Sequence, residues 1–208
     1  MPYRATEYTN QRKAEAREKI IAATVKLLRE GGYRAAQIDE IAARAGMASG
    51  TVYRHFETKA ALFAEVFRLL SGREVDAMKQ ALEGDGPMVD RLANAAAIFA
   101  RRALKGRKVA YALIAEPVDV AVDEERLVYR RAYAKTFARA IRQGVANGEL
   151  PLQDAELTAA AMVGALGEVL LGPLSVHSKD KDEATIAKVA AFCRRAVGGE
   201  RGLRKARR

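Results

Sequence analysis

Residues 37–56 read QIDEIAARAGMASGTVYRHF, two short amphipathic segments joined by the turn Ala45-Gly46-Met47-Ala48. In the first, Ile38, Ile41, Ala42 and Ala45 fall on one helical face. Gly46 stands where the backbone must bend sharply, because glycine enters the left-handed region without steric cost. The second segment is very short. Ser49 is placed to cap it, and its only clearly apolar residues, Val52 and Phe56, stand four apart and are expected to point inward. Its remaining surface (Ser49, Gly50, Thr51, Tyr53, Arg54 and His55) is small or polar. That is the make-up of a helix-turn-helix, with the second helix free to enter a major groove while the first packs across it. Small residues permit close approach to base edges, and hydroxyl, imidazole and cationic groups donate to phosphate oxygens. A plain short helix in a bundle, with its polar side turned to water, shares this pattern, so the flanking sequence has to decide.

Upstream, Ile20, Thr24, Leu27 and Leu28 mark one face of a helix from about Arg17, stopped at Gly31-Gly32. The sixteen residues before it have no helical period and read as an extended basic arm. Downstream, Thr58 can cap a helix whose face is Leu62, Phe63, Val66, Phe67 and Leu70, and Lys59 adds a positive donor beside that helix's first amides. After the break at Glu83–Gly86 come longer helices: about 87–104, about 109–116 before Pro117, and one opened by Asp123, Glu124 and Glu125 and closed by Asn147-Gly148. An apolar helix follows Asp154 and stops at Gly172-Pro173. A last one, about 183–197, is ended by Gly198-Gly199.

The 208 residues carry no tryptophan, 6% aromatics and much alanine, the strongest helix former. The expected fold class is all-α. A single cysteine, Cys193, excludes an internal disulfide or a multi-thiolate metal site and agrees with a reducing, cytoplasmic setting. It sits on the apolar stripe of the last helix and reads as a small core residue, with a redox switch as the rival. The apolar run 157–176 is long enough for a bilayer, but Glu168 near its middle and the Gly172-Pro173 break argue for a buried helix and no membrane span. The formal charge of +10 is concentrated at the ends. Residues 1–60 hold 11 basic against 7 acidic side chains, and residues 194–208 hold 7 against 1. Such charge suits a polyanion, whether nucleic acid or phospholipid, or else a solvated tail.

The string Gly46 to Lys59, followed by Leu62-Phe63, resembles the DNA-binding signature of the TetR family of transcriptional repressors. Arg17–Ala23 and Ile38–Ala42 resemble that family's first two helices in order and spacing, so the likeness covers roughly 14–74. It implies a three-helix DNA-binding head with a connecting fourth helix, a homodimer on a palindromic operator in double-stranded DNA, and a larger helical domain for ligand binding and dimerisation, with no cofactor. The resulting organisation is a basic flexible arm over 1–13, the head over 14–74 with its motif at 37–56, the helical domain over 75–197 and a basic flexible tail over 198–208. Position by position, Ser49, Gly50 and Thr51 match residues near base edges. Tyr53, His55 and Lys59 match phosphate contacts, with Arg54 on the same surface. Where the family has Thr or Ser at the second helix's N-cap this chain has Ala36, which leaves Gln37 to supply that contact. Asp39 has no assigned role, and His55, with no second histidine or cysteine near it, reads as a phosphate contact rather than a metal ligand.

Beyond residue 74 the pattern is less specific. The helix 157–171, with its small residues Ala160, Ala161, Gly164 and Gly167, needs cover on every side, and with 183–197 it suits a dimer interface over about 154–172 and 183–197. Phe99, Tyr111, Tyr129, Tyr133 and Phe137 are candidates to line an apolar effector pocket, or simply core. Glu116 and Glu168 border apolar runs and would meet either a ligand or an arginine such as Arg101 or Arg130. An enzyme is disfavoured, because no nucleophile elbow, P-loop or dinucleotide fingerprint appears. The remaining rival is a non-specific architectural DNA-binding protein held by its basic ends.

Overall fold

The computed structural model describes residues 7–175 and 179–205, which form nine helices and no strand. In chain order they are α1 (Glu7–Ala35), α2 (Ile38–Ala45), α3 (Ser49–His55), α4 (Lys59–Leu82), α5 (Met88–Lys105), α6 (Arg107–Ile114), α7 (Val120–Ala146), α8 (Ala155–Ser175) and α9 (Lys179–Lys205).

The helices enclose two cores. Ile20, Leu27 and Leu28 of α1 meet Ile41 of α2, Val52 of α3 and Leu62, Phe63 and Phe67 of α4 in the first. The second is built from Leu92, Phe137, Ile141, Met162, Leu166, Leu170 and Cys193 on α5, α7, α8 and α9. α4 runs unbroken across residue 74 and adds Met78 and Leu82 to the second core. Ala112 of α6 and Val122 of α7 reach back into the first, so the body is keyed into the head.

Local chemistry sets several helix ends. Thr58 Oγ1 accepts from Ala61 N at 3.0 Å and starts α4. Gly46 (φ 70°) closes α2, with the amides of Gly46 and Met47 donating back to Ala43 and Ala42. Asp154 Oδ1 accepts from Leu157 N at 2.9 Å at the start of α8. The first amide of α5 is served from elsewhere, by Glu149, whose Oε2 accepts from Met88 N at 2.8 Å. That bond holds the Glu149 carboxyl below its ordinary range.

Four sequence expectations are corrected. The N-terminal arm is helical from Glu7, not extended to residue 16. Gln11 Nε2 donates to Glu15 at 3.1 Å and Arg12 lies over the Tyr8 ring at 5.8 Å, short-range pairs that support the added turns. At the other end, α9 passes through Gly198-Gly199 to Lys205, because Gly198 is buried where a Cβ would meet Val89 Cγ2 at 3.6 Å. The expected flexible tail over 198–208 is therefore helical at least to that point. α8 likewise continues past Gly172-Pro173 to Ser175, with Leu174 buried and the Pro173 carbonyl accepting from Arg107. Finally, α8 is not covered all round in the single chain. Only 28% of its most apolar window is buried, although by length and composition that window is one that could cross a membrane. His177 lies outside the described residues.

Candidate nucleic-acid interface

α3 is held from beneath and left open above. Val52 is fully buried and Phe56 nearly so, and the Arg17 guanidinium stacks over the Phe56 ring at 4.7 Å while pairing with Glu65. Tyr53 is 50% exposed. Gly50 and Arg54 are exposed as well, and Ser49, Thr51 and His55 are half-buried beside them.

Ser49 does not cap α3. The N-cap is Ala48, and Ser49 Oγ donates to Asp39 Oδ1 at 2.6 Å. This hydrogen bond accounts for Asp39, an acid otherwise out of place near DNA: it ties the first helix of the motif to the second. The N-cap of α2 is Gln37, one residue later than expected, while Ala36 is fully buried in the head core. Gln37 makes no capping bond. Its Nε2 donates to the Arg34 carbonyl at 2.7 Å and its Oε1 accepts from Lys59 Nζ at 3.2 Å. Lys59 in turn sits over the rings of Tyr33 (4.9 Å) and Phe63 (5.5 Å). Partial burial lowers its ammonium pKa, opposed by Asp119 and Glu116. Gln37 and Lys59 thus form one exposed pair at the mouth of the motif.

Helical residues at the start of α1 extend this surface. Tyr8, Thr9, Arg12 and Lys13 share a shallow hollow with His55. An extended arm would give them no fixed place. Read as a helix, the four-residue step from Tyr8 and Thr9 to Arg12 and Lys13 puts all four on one side.

Glu116 is not in a pocket. It is buried at the junction of head and body, where its two carboxylate oxygens accept from Tyr33 N at 2.8 Å and Arg34 N at 3.2 Å. Those amides are free because Gly32 (φ 76°) breaks α1, and a Cβ at Gly32 would come within 2.9 Å of the same carboxylate. Three residues on, Asp119 accepts from the Tyr33 hydroxyl, and burial with that acid beside it pushes the phenol pKa up. The α6–α7 loop therefore latches the turn that leads into Gln37 and Lys59. Nothing local in the sequence signals this, since Glu116 and Tyr33 lie 83 positions apart.

The body contains a cavity of about 660 Å³ between α4, α5, α6, α7 and α8. Of the seven residues the sequence proposed for a pocket, Phe99, Tyr129, Tyr133 and Phe137 line it. Tyr133, mostly buried and edge-on to Phe99 at 5.4 Å, has its phenol pKa raised by desolvation. The other three are corrected: Tyr111 is exposed on the outer side of α6, Glu168 is exposed on α8, and Glu116 is the latch described above. Cys193 is fully buried, and desolvation pushes its thiol up to about 11, which suits a core residue and not a reactive one. Among the described residues no cluster of His, Cys, Asp and Glu could hold a metal ion.

Residues 20–66 match the family model for bacterial regulatory proteins of the tetR family. The chain is 31% identical over 75 residues to the fatty acid metabolism regulator protein of Bacillus subtilis, a match covering 36% of this chain and 39% of that one. It is 28% identical over 155 residues to an uncharacterized HTH-type transcriptional regulator of the same organism, covering 72% and 79%. Among solved structures, the fatty acid degradation regulator FadR from Bacillus halodurans superposes with a TM-score of 0.73 at 24% identity, over 89% of this chain and 96% of that one. FadR from Bacillus subtilis, solved in complex with stearoyl-CoA, gives 0.72 at 20% identity, over 88% and 98%.

Proposed function

Since the chain belongs to the TetR family of bacterial transcriptional regulators, we propose that it acts in the cytoplasm as a homodimeric repressor, bound to a palindromic operator and released from it by a small-molecule inducer. The observation that carries this reading is the outward face of α3. A helix of seven residues spends one, Val52, on anchoring, with Phe56 just past its end, and leaves Gly50, Tyr53 and Arg54 exposed, with Ser49, Thr51 and His55 beside them. Ser49, Gly50 and Thr51 face base edges, and Tyr53, Arg54, His55, Lys59 and Gln37 hold phosphates.

The unpaired face of α8 supports the dimer. Leu157, Ala160, Ala161, Gly164 and Glu168 are all exposed along one side, and Phe192 of α9 is exposed beside its own buried stripe. Small residues let a second copy's helix approach closely. A carboxylate in the middle of that face is costly against lipid and tolerable in a protein contact with a polar partner. Two-fold symmetry would set the two α3 helices about 34 Å apart, one turn of duplex.

The cavity supports the inducer. Its wall includes α6, and α6 leads directly into the loop that latches the head. A ligand that prefers a different placement of α6 would lower operator affinity by that difference in binding. An electrophoretic shift with DNA flanking the gene tests the core of the reading. A salt-sensitive, sequence-preferring complex is expected, weakened at least tenfold by Tyr53→Ala with no loss of fold. Binding that ignores sequence and depends only on the basic ends would favour the architectural alternative.

A further inference from the structure

The cavity is apolar inside and cationic at its edge. Its buried or half-buried wall is Leu70, Met78, Phe99, Phe137, Val163 and Leu166, from α4, α5, α7 and α8. Around the edge stand seven basic side chains and one acid, Glu74. Glu74 is already committed to Arg102, at 2.6 and 2.8 Å. Arg107 is engaged by Asp182 and the Pro173 carbonyl, and Arg126 by Asp123 at 3.1 Å. That leaves Arg29, Lys105, Lys108 and Arg130, all exposed and none with an acidic partner among the described residues. Arg126, also in the wall, is nine-tenths buried and donates to Asp123 and to the Ala112 and Glu116 carbonyls. Four exposed cations without an acidic partner, gathered around one apolar cavity, make a place for an anion.

Resting on the reading of this cavity as the effector site, we infer that its ligand is an amphipathic anion: an apolar portion lying against α4, α5, α7 and α8, with a carboxylate or phosphate held at the edge by Arg29, Lys105, Lys108 and Arg130. The four cations come from four helices, and Arg29 belongs to the head. Lys108 Nζ now donates to the Glu30 carbonyl near the end of α1. An anion at the edge competes for that ammonium and loosens the tie between α6 and α1. Binding energy gained at the edge is thereby coupled to where the head sits.

The test is calorimetric titration of the intact dimer, free of DNA, with dodecanoate, dodecanoyl-CoA and dodecanol. Dodecanoate or its thioester should bind at least tenfold more tightly than the alcohol, and added salt should narrow the gap. Binding by the free acid identifies a carboxylate at the edge, and binding by the thioester alone identifies the nucleotide phosphates. Lys105→Glu with Arg130→Glu, both on the surface, should lower anion affinity at least tenfold and leave the alcohol unchanged. Gly167→Leu should lower affinity for all three, since nothing lies within 4 Å of its Cβ position and the added side chain takes up room in the wall. Equal affinity for dodecanol and dodecanoate, or no binding of any of them, overturns the inference. Operator binding in the shift assay would survive either result, so the regulator reading stands or falls separately.

Discussion

Head and body solve different problems with the same material, alanine-rich helices. In the head, short helices are fixed by local devices: the left-handed Gly46, the Thr58 cap, and the four-residue step from Val52 to Phe56. Each is written within a few residues of where it acts. In the body, long helices pack through contacts between distant positions and leave a cavity of about 660 Å³ among them. A surface that must match a duplex tolerates little variation, whereas a cavity that must match one ligand among many leaves its wall free to differ. The contrast predicts that equal damage has unequal consequences in the two parts.

The largest effect is expected at Phe63, which is fully buried in the head core and stacked edge-on against Tyr33 at 4.5 Å. Phe63→Ala should cost about 3–5 kcal/mol. A small head has little stability to spare, so DNA binding should vanish while most helical signal from the body remains. Circular dichroism beside a shift assay checks this. A single cooperative loss of all helix would mean that the head and body are not separable units.

The next test belongs to the body. Burial pushes Cys193 up to about 11, against about 8.5 in an unfolded chain. The folded form holds this proton more tightly, so the contribution is complete below about pH 8.5 and disappears as pH rises toward 11. At 1.36 kcal/mol per pH unit, stability should fall by about 2–3 kcal/mol across that window from this group. Denaturant titrations at pH 8 and 10.5 should show the fall, and Cys193→Ala should be less sensitive. An unchanged slope in the variant would mean the thiol is hydrated.

Between the two parts lies the Glu116 latch. Glu116→Ala leaves two N–H donors, those of Tyr33 and Arg34, without their carboxylate, a cost of about 1–3 kcal/mol. Operator affinity should drop along with stability, and Glu116→Gln, which keeps one acceptor, should fall between. Should affinity be untouched when the latch is lost, α4 alone carries the coupling.

What could be read in advance follows the same division. Ile38, Ile41, Val52, Phe56 and Thr58 announce themselves by period or by cap, and the structure places them as read. Ser49 looked like a cap because its type favours that position, but a partner on the preceding helix, Asp39, captures its hydroxyl. Gly198-Gly199 looked like a stop because glycine weakens helices, yet Gly198 is where α9 packs against Val89 of α5. Glu116 and Glu168 looked alike in sequence, each an acid beside an apolar run. One is buried on two amides 82 and 83 residues upstream and the other is exposed. Local signals report local energetics, and these misreadings turn on a contact that joins distant segments.

The smallest expected effect separates a helical α1 from a loose basic arm. An arm would add charge without a fixed position. As built, α1 sets Arg12 and Lys13 beside His55, next to the α3 surface. Arg12→Ala should therefore remove about one phosphate contact per chain, lowering the magnitude of the log–log salt slope of operator binding by about 1 per protomer. Stability should change by no more than about 0.5 kcal/mol, as for other surface positions. Arg101→Ala, an exposed cation on α5 in the body, carries the same charge loss away from the motif and should leave the slope alone. If both variants shift the slope equally, net charge and not position is what the duplex feels, and the ordered start of α1 has no part in the interface.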